Sequence, residues 1–181
     1  MSVFLNVKAK FYVDLPQYEI GNLSMATKID IAGRLLKYDA TLGGIILAYK
    51  NVMPLQKLAF CYADSPFLHI PMEATFLVFR PVKDCQLPGT VTYISQSAVS
   101  LQIFDYFEAN LDIEDLKTKW TFDDNKWYRN REYFGEGDNL VVKVTQIFPS
   151  PDGISLEVQI VGKSESPSKP TNDDQEFPND E

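Results

Sequence analysis

Leu35-Leu36-Lys37-Tyr38-Asp39-Ala40-Thr41-Leu42-Gly43-Gly44-Ile45-Ile46-Leu47-Ala48-Tyr49-Lys50-Asn51-Val52 is where the periodicity of this sequence changes. Before the double glycine, residues 22–38 place Met25, Ile29, Ala32, Leu35 and Leu36 on one stripe of helical period, with Asn22 or Ser24 available as a cap. After it, residues 45–49 form a short, branched, glycine-bounded run, which predicts a buried strand. Toward the N-terminus, Val3, Leu5, Val7, Ala9, Phe11 and Val13 alternate strictly, the period of a half-buried strand, and Pro16 ends the run. On the other side, residues 58–62 and 74–79 suit two further strands. A strand, a helix and then strands predict a small α+β unit over residues 1–80.

From Pro81 the turn signals come at strand-length intervals: Pro88-Gly89, then residues 95–97, 123–125, 135–139 and 149–153. Between them residues 91–94, 99–104, 140–147 and 154–161 are of strand type, with a shorter strand at 120–122. Five or so antiparallel strands over residues 81–163 predict a small closed barrel of the OB type, in which curling the sheet shut removes its edges. Gly162 and Lys163 close the folded part. Residues 164–181 have too little apolar content to fold alone and are expected to be a disordered acidic tail. The expected fold class is therefore α+β: a small N-terminal unit, an antiparallel OB-fold barrel and that tail. No internal repeat is present.

Of 181 residues, 45% are hydrophobic and 23% charged, which is enough apolar content for folded cores. No uninterrupted apolar run approaches the roughly 20 residues of a bilayer span, and the start lacks the order of an export signal, so no membrane association is expected. Net charge is −8. The tail holds six acids and one lysine, −5 of that total, which leaves −3 for residues 1–163. Any nucleic-acid surface must then be a local patch.

The chemistry of an enzyme is missing from the sequence. Cys61 and Cys85 have no partner at metal-ligand spacing, which predicts reduced thiols of a cytosolic or nuclear protein, with no metal and no cofactor. His69, the only histidine, sits in Phe67-Leu68-His69-Ile70-Pro71 and reads as a packing residue. Leu42-Gly43-Gly44 precedes a strand, whereas nucleotide-binding glycine motifs open a helix. Asp112, Glu114 and Asp115 lie beside Lys117 and Lys119, as on a solvated, charge-balanced face.

One stretch is suited to recognition. Residues 117–131 hold five basic residues (Lys117, Lys119, Lys126, Arg129, Arg131), two acids and four large aromatics, among them both tryptophans, Trp120 and Trp127. Bases stack on aromatic planes while Lys and Arg neutralise phosphates, so Lys117, Lys119, Lys126, Trp127, Arg129 and Arg131 are candidate contacts for single-stranded RNA. Trp120 and Phe122 alternate like strand residues and equally suit the barrel core. Trp127 with Arg129 equally suits a protein anchor.

Residues 35–52, with their double glycine and Leu-Ala-Tyr strand, resemble the stalk-subunit family of RNA polymerase I, related to the polymerase II seventh subunit and to its archaeal stalk counterpart. The likeness continues through Pro66-Phe67 and Thr75-Phe76-Leu77-Val78-Phe79-Arg80-Pro81, and through Phe107-Glu108-Ala109-Asn110-Leu111 with Trp120-Thr121-Phe122, which is similar to the polymerase I form. It covers residues 3–161. Glu108 to Asn110 depart from the family's Asn-Ala-Ser, and the N-terminal extension usual in the family does not precede this sequence, so contacts carried there are not transferred.

The resemblance implies a non-catalytic subunit of a DNA-directed RNA polymerase, in the nucleus and nucleolus, acting in ribosomal RNA transcription. It implies an RNP-like tip domain over residues 1–80 that meets the polymerase core (the largest subunit and a shared small subunit), and an OB domain beside emerging RNA. A smaller stalk subunit as heterodimer partner and the polymerase I initiation factor are the other implied partners. Residues 53–65 fall where the family has its tip loop, which makes Leu55, Phe60 and Tyr62 candidate contacts to the core. The alternatives are a free single-stranded RNA-binding OB protein and the equivalent stalk subunit of another nuclear polymerase.

Overall fold

The computed structural model describes residues 2–62 and 65–163. It is mostly β. The long strand β1 (Phe4–Pro16) is followed by a 3-10 turn (Gln17–Asn22), helix α1 (Leu23–Arg34), and strands β2 (Tyr38–Asp39), β3 (Gly44–Pro54), β4 (Phe60–Cys61) and β5 (Phe67–Phe79). These strands make one antiparallel sheet in the order β1-β5-β3-β2, with β4 also on β5. The alternation read in the sequence sets its faces: Val7, Ala9, Phe11, Val13 and Leu15 of β1 join Ile70, Met72, Ala74, Phe76 and Val78 of β5 on the side covered by α1. The other side carries Lys8 and Glu73, an ion pair at 2.6 Å.

Helix α1 is shorter than expected and turned to a different face. It stops at Arg34, because Leu35 is extended and Leu36 is left-handed (φ 61°), its N–H donating to Ile46 O at 2.8 Å in β3. Thr27 and Ile31 are the buried positions, supported by Leu23 and Ala26, whereas Met25 and Ile29 of the predicted stripe face outward. Apolar residues occupy two stripes of this helix, and periodicity cannot choose between them; the sheet does.

The glycine pair has separate jobs. The Asp39 carboxylate accepts from the Thr41 and Leu42 N–H groups at 2.8 and 2.9 Å, and Gly43 at φ 64° completes the turn. Gly44 lies against β5, where a Cβ would collide with the Phe79 carbonyl and lie 2.6 Å from Val78 Cγ1.

The second half closes into a barrel of β6 (Gln86–Ile94), β7 (Val99–Ile103), β8 (Phe107–Leu111), β12 (Asn139–Ser150) and β13 (Gly153–Lys163), ordered β12-β13-β8-β7-β6 and sealed by β6 on β12. Closure agrees with the expected OB-type barrel, but the all-antiparallel pairing does not: β13 runs parallel to β8, Leu156 opposite Ala109 and Val158 opposite Leu111. A parallel pair needs a long crossover. Here it comprises α2 (Ile113–Lys119), a small sheet of β9 (Thr121–Asp123), β10 (Lys126–Arg129) and β11 (Glu132–Phe134), and β12 itself.

Pro88-Gly89, read as a turn, lies inside β6 opposite Val141 and Leu140. A Cβ on Gly89 would be 2.9 Å from Ile103 Cδ1, so the glycine admits a close approach across the barrel. Asp112, read as part of a solvated face, caps α2 by accepting from Glu114 and Asp115 N–H at 3.0 and 3.2 Å. The expected acidic tail, residues 164–181, lies outside the described residues. No helix among the described residues is long and apolar enough to cross a membrane. Both cysteines are free thiols.

Ile45 and Phe79 of the first sheet, with Val3 just before β1, belong to the barrel's hydrophobic core. Phe79 stacks on Phe107, centroids 4.1 Å apart and planes 13° from parallel, while Phe4 and Phe104 close around it at 5.6 and 6.1 Å. Arg80 N–H donates to Val3 O at 2.7 Å beside this cluster. Phe79→Ala is expected to lower unfolding free energy by about 3–5 kcal/mol in urea and to separate one transition into two. A single transition at the wild-type midpoint would contradict this role.

Candidate nucleic-acid interface

The basic-aromatic stretch folds as the three-stranded sheet β11-β10-β9, inserted between α2 and β12. Asp124 and Asn125, both left-handed (φ 42° and 59°), make the two-residue turn from β9 to β10, and Asn130 (φ 54°) turns β10 into β11. The pairing puts Trp127 between Phe122 and Phe134, and Tyr128 between Thr121 and Tyr133. Since side chains alternate, Trp127 and Arg129 share one face and Lys126 and Tyr128 the other.

The inner face is core. Trp127 is 1% exposed, its indole N–H donates to Ser95 O at 3.3 Å, and its ring lies 5.3 Å from Phe122, so neither of its faces is open to a base. Trp120 is buried edge-on to Phe134 at 5.1 Å. The Arg129 guanidinium sits 4.7 Å above the Trp120 ring and donates to Glu132 Oε2 at 2.7 Å. Lys119 is held by both carboxylate oxygens of Asp115, at 2.7 and 2.8 Å, on α2. Lys117, on the same helix, is exposed.

The outer face is different. Lys126 is exposed with Nζ 5.4 Å from the Tyr133 ring, and Lys163 Nζ stands 5.0 Å from the same ring. Tyr128 and Tyr133 are 37% and 49% exposed, with centroids 5.9 Å apart. Beside them a notch of about 220 Å³ opens between the small sheet and the barrel, lined by Arg129, Arg131, Tyr133, Lys163 and, at its floor, Leu140 and Ile160. The structure thus brings Arg129 and Arg131 together at the notch, and sets Lys126 on the opposite face of β10 from Arg129, against the Tyr133 ring. Lys117 and Lys119 do not line the notch. Tyr133 and Lys163 are not among the residues that composition singles out. The signal that could have found Tyr133 is the Asn130-Arg131 turn, which fixes the register of β10 on β11 and so sets Tyr128 opposite Tyr133; Lys163 arrives from β13, which no local signal places.

At the far end of the first sheet, Leu55, Phe60 and Tyr62 are all exposed, as are Met53, Leu58 and Phe67. His69 ties this end together: Nδ1 is 2.6 Å from Asp14 Oδ1, Nε2 is 3.3 Å from Ser65 Oγ, and the ring packs on Tyr62 at 5.0 Å. Aspartate, histidine and serine in this order have the composition of a hydrolase triad. The Ser65 N–H, however, donates to Tyr62 O at 3.1 Å and Ser65 Oγ accepts from Phe67 N–H at 3.3 Å, so these groups close a loop where a hydrolase would aim a nucleophile and an oxyanion donor at a substrate.

No protein-family model matches the chain. It is similar to a Dictyostelium discoideum protein named as a probable DNA-directed RNA polymerase I subunit RPA43, 28% identical over 158 residues, which cover 85% of this chain and 44% of that protein. It is 36% identical to the subunit rpa43 of Schizosaccharomyces pombe over 81 residues, 45% of this chain and 47% of that protein. With RPA43 of Danio rerio it shares 27% identity over 100 residues, 55% of this chain and 26% of that protein. The chain spans less than half the length of each of these relatives. The resemblance to the polymerase I stalk-subunit family is borne out by them.

The burial of Trp127 sets a measurable expectation. Trp127→Ala should cost about 3–5 kcal/mol of stability in a denaturant titration, as for other buried aromatics, with or without RNA present. A loss below ~1 kcal/mol would show that the ring is not part of the core.

Proposed function

We propose that this chain is a non-catalytic subunit of nuclear RNA polymerase I, placed in its stalk and acting in ribosomal RNA transcription in the nucleolus. The observation that carries this reading is the likeness to a polymerase I subunit across 85% of the chain, a span too long to be confined to the first sheet or to the barrel. In this reading residues 1–80 form an RNP-like tip domain and residues 81–163 an OB domain.

The surface supports a subunit that works inside an assembly. Leu55, Leu58, Phe60 and Tyr62 at the tip, and Met25 and Ile29 on α1, are large apolar side chains in water. Such surfaces are ordinarily covered by a partner. The tip meets the polymerase core through its largest subunit and a shared small subunit, a smaller stalk subunit pairs with the chain, and the polymerase I initiation factor docks on the stalk. Single-stranded RNA meets the OB domain. A free RNA-binding OB protein would have no need of this apolar tip, and relatives in three organisms carry the polymerase I name rather than that of another nuclear polymerase.

The test is to purify the tagged chain from its own cells and identify what accompanies it. Polymerase I subunits are expected, and the double substitution Leu55→Asp with Phe60→Asp should release them, since charge replaces desolvated apolar contacts, while the barrel stays folded by circular dichroism. Recovery of the wild-type chain without any polymerase subunit would overturn the proposal.

A further inference from the structure

An OB barrel ordinarily holds nucleic acid on its second and third strands and the loops beside them. In this chain those strands are β7 and β8. Their outward side chains are Ser100, Gln102, Glu108 and Asn110, the last paired to Ser100 at 2.8 Å. The adjoining turns contribute Ser95, Gln96 and Ser97 on one side and Asp152 on the other. The wall therefore offers no lysine or arginine, and Glu108 and Asp152 would repel a phosphate.

The inserted sheet supplies what the wall lacks. Tyr133 stands half-exposed with Lys126 and Lys163 on its ring, Tyr128 lies beside it, and Arg131 stands at the mouth of the adjoining notch. Lys163 pairs with Asp138 at 3.0 Å in a half-exposed contact that leaves its ammonium beside the ring, and Asp138 also accepts from Gly135 N–H at 3.0 Å. Lys126 and Arg131 take part in no ion pair among the described residues. Acids are near as well: Asp123 lies across the strand pair from Lys126, and Glu132 neutralises Arg129.

We infer that single-stranded RNA is held on the outer face of this inserted sheet and not on the barrel wall, a base stacking on Tyr133 and phosphates meeting Lys126, Arg131 and Lys163. The inference deepens the RNA role in the proposed function and rests on it. A base slides onto the ring as the two flexible lysines move from it to the flanking phosphates, and the exposed pair to Asp138 is weak enough to yield. Because this surface reads no base edge in a groove, binding is expected to depend little on sequence and strongly on salt.

The experiment measures fluorescence anisotropy of a short labelled oligouridylate with the full chain across a salt series. Tyr133→Ala should weaken binding at least about fivefold, Tyr133→Phe should preserve it, and Lys126→Gln with Lys163→Gln should flatten the logarithmic salt slope by about 1.4, two phosphates at ~0.7 each. Gln102→Ala with Asn110→Ala, on the wall, should change nothing. Ultraviolet cross-linking of the unaltered chain should mark residues 126–134, a readout that does not depend on any variant folding. Loss of binding through the wall pair, cross-links on β7 or β8, or no binding by the unaltered chain would each overturn the inference. Co-purification with polymerase I is scored on the same variants and is expected to be unchanged, so failure of the RNA site and failure of the subunit reading give different results.

Discussion

Phe79 lying flat on Phe107 is the contact through which the two halves of this molecule become one body. Phe79 ends β5, the strand at the centre of the first sheet, and is paired on one side with Phe4 and on the other with Ile45, so its ring is aimed by three strands at once. Phe107 opens the barrel strand whose parallel partner completes closure. An aromatic stack of this kind adds to the burial of both rings. Gly44 is required by the same junction, since only a residue without Cβ lets β3 run this close to the Phe79 backbone. With the sheet and barrel sharing one core, the apolar tip and the inserted sheet are carried on a common frame.

Much of that frame is legible from local pattern. Strict alternation from Val3 to Val13 gives β1 and the face it buries, and the run after Gly44 gives β3. Turn chemistry locates the last hairpin, where β12 ends at Ser150 and β13 begins at Gly153. What pattern misreads is decided by neighbours distant in sequence. Helix α1 has two apolar stripes, and only the sheet beneath it selects Thr27 and Ile31 over Met25 and Ile29. Pro88-Gly89 has the composition of a turn, yet the barrel needs a strand without bulk at that place.

The recognition surface is legible as a composition and not as a geometry. Residues 117–131 do concentrate basic and aromatic groups, but the tryptophans, the largest stacking surfaces on offer, are consumed by the core of the insertion. Burying Trp127 leaves the opposite face of β10 outward, which is why the smaller tyrosines carry the exposed rings. Likewise, Asp14, His69 and Ser65 come together across 55 residues of sequence, a contact no local reading could supply, and their hydrogen bonds serve to hold the tip segment against the sheet.

The central claim is that this chain works as a stalk subunit with its apolar tip seated in RNA polymerase I. Its most direct test is cross-linking mass spectrometry on the complex isolated from its own cells through a tag on this chain, using an amine-reactive reagent. Lys57 lies in the tip segment between Leu55 and Phe60, and the account predicts that it cross-links to the polymerase core while Lys126 and Lys163 do not. Cross-links from Lys57 only within this chain, or to proteins unrelated to polymerase I, would contradict the account.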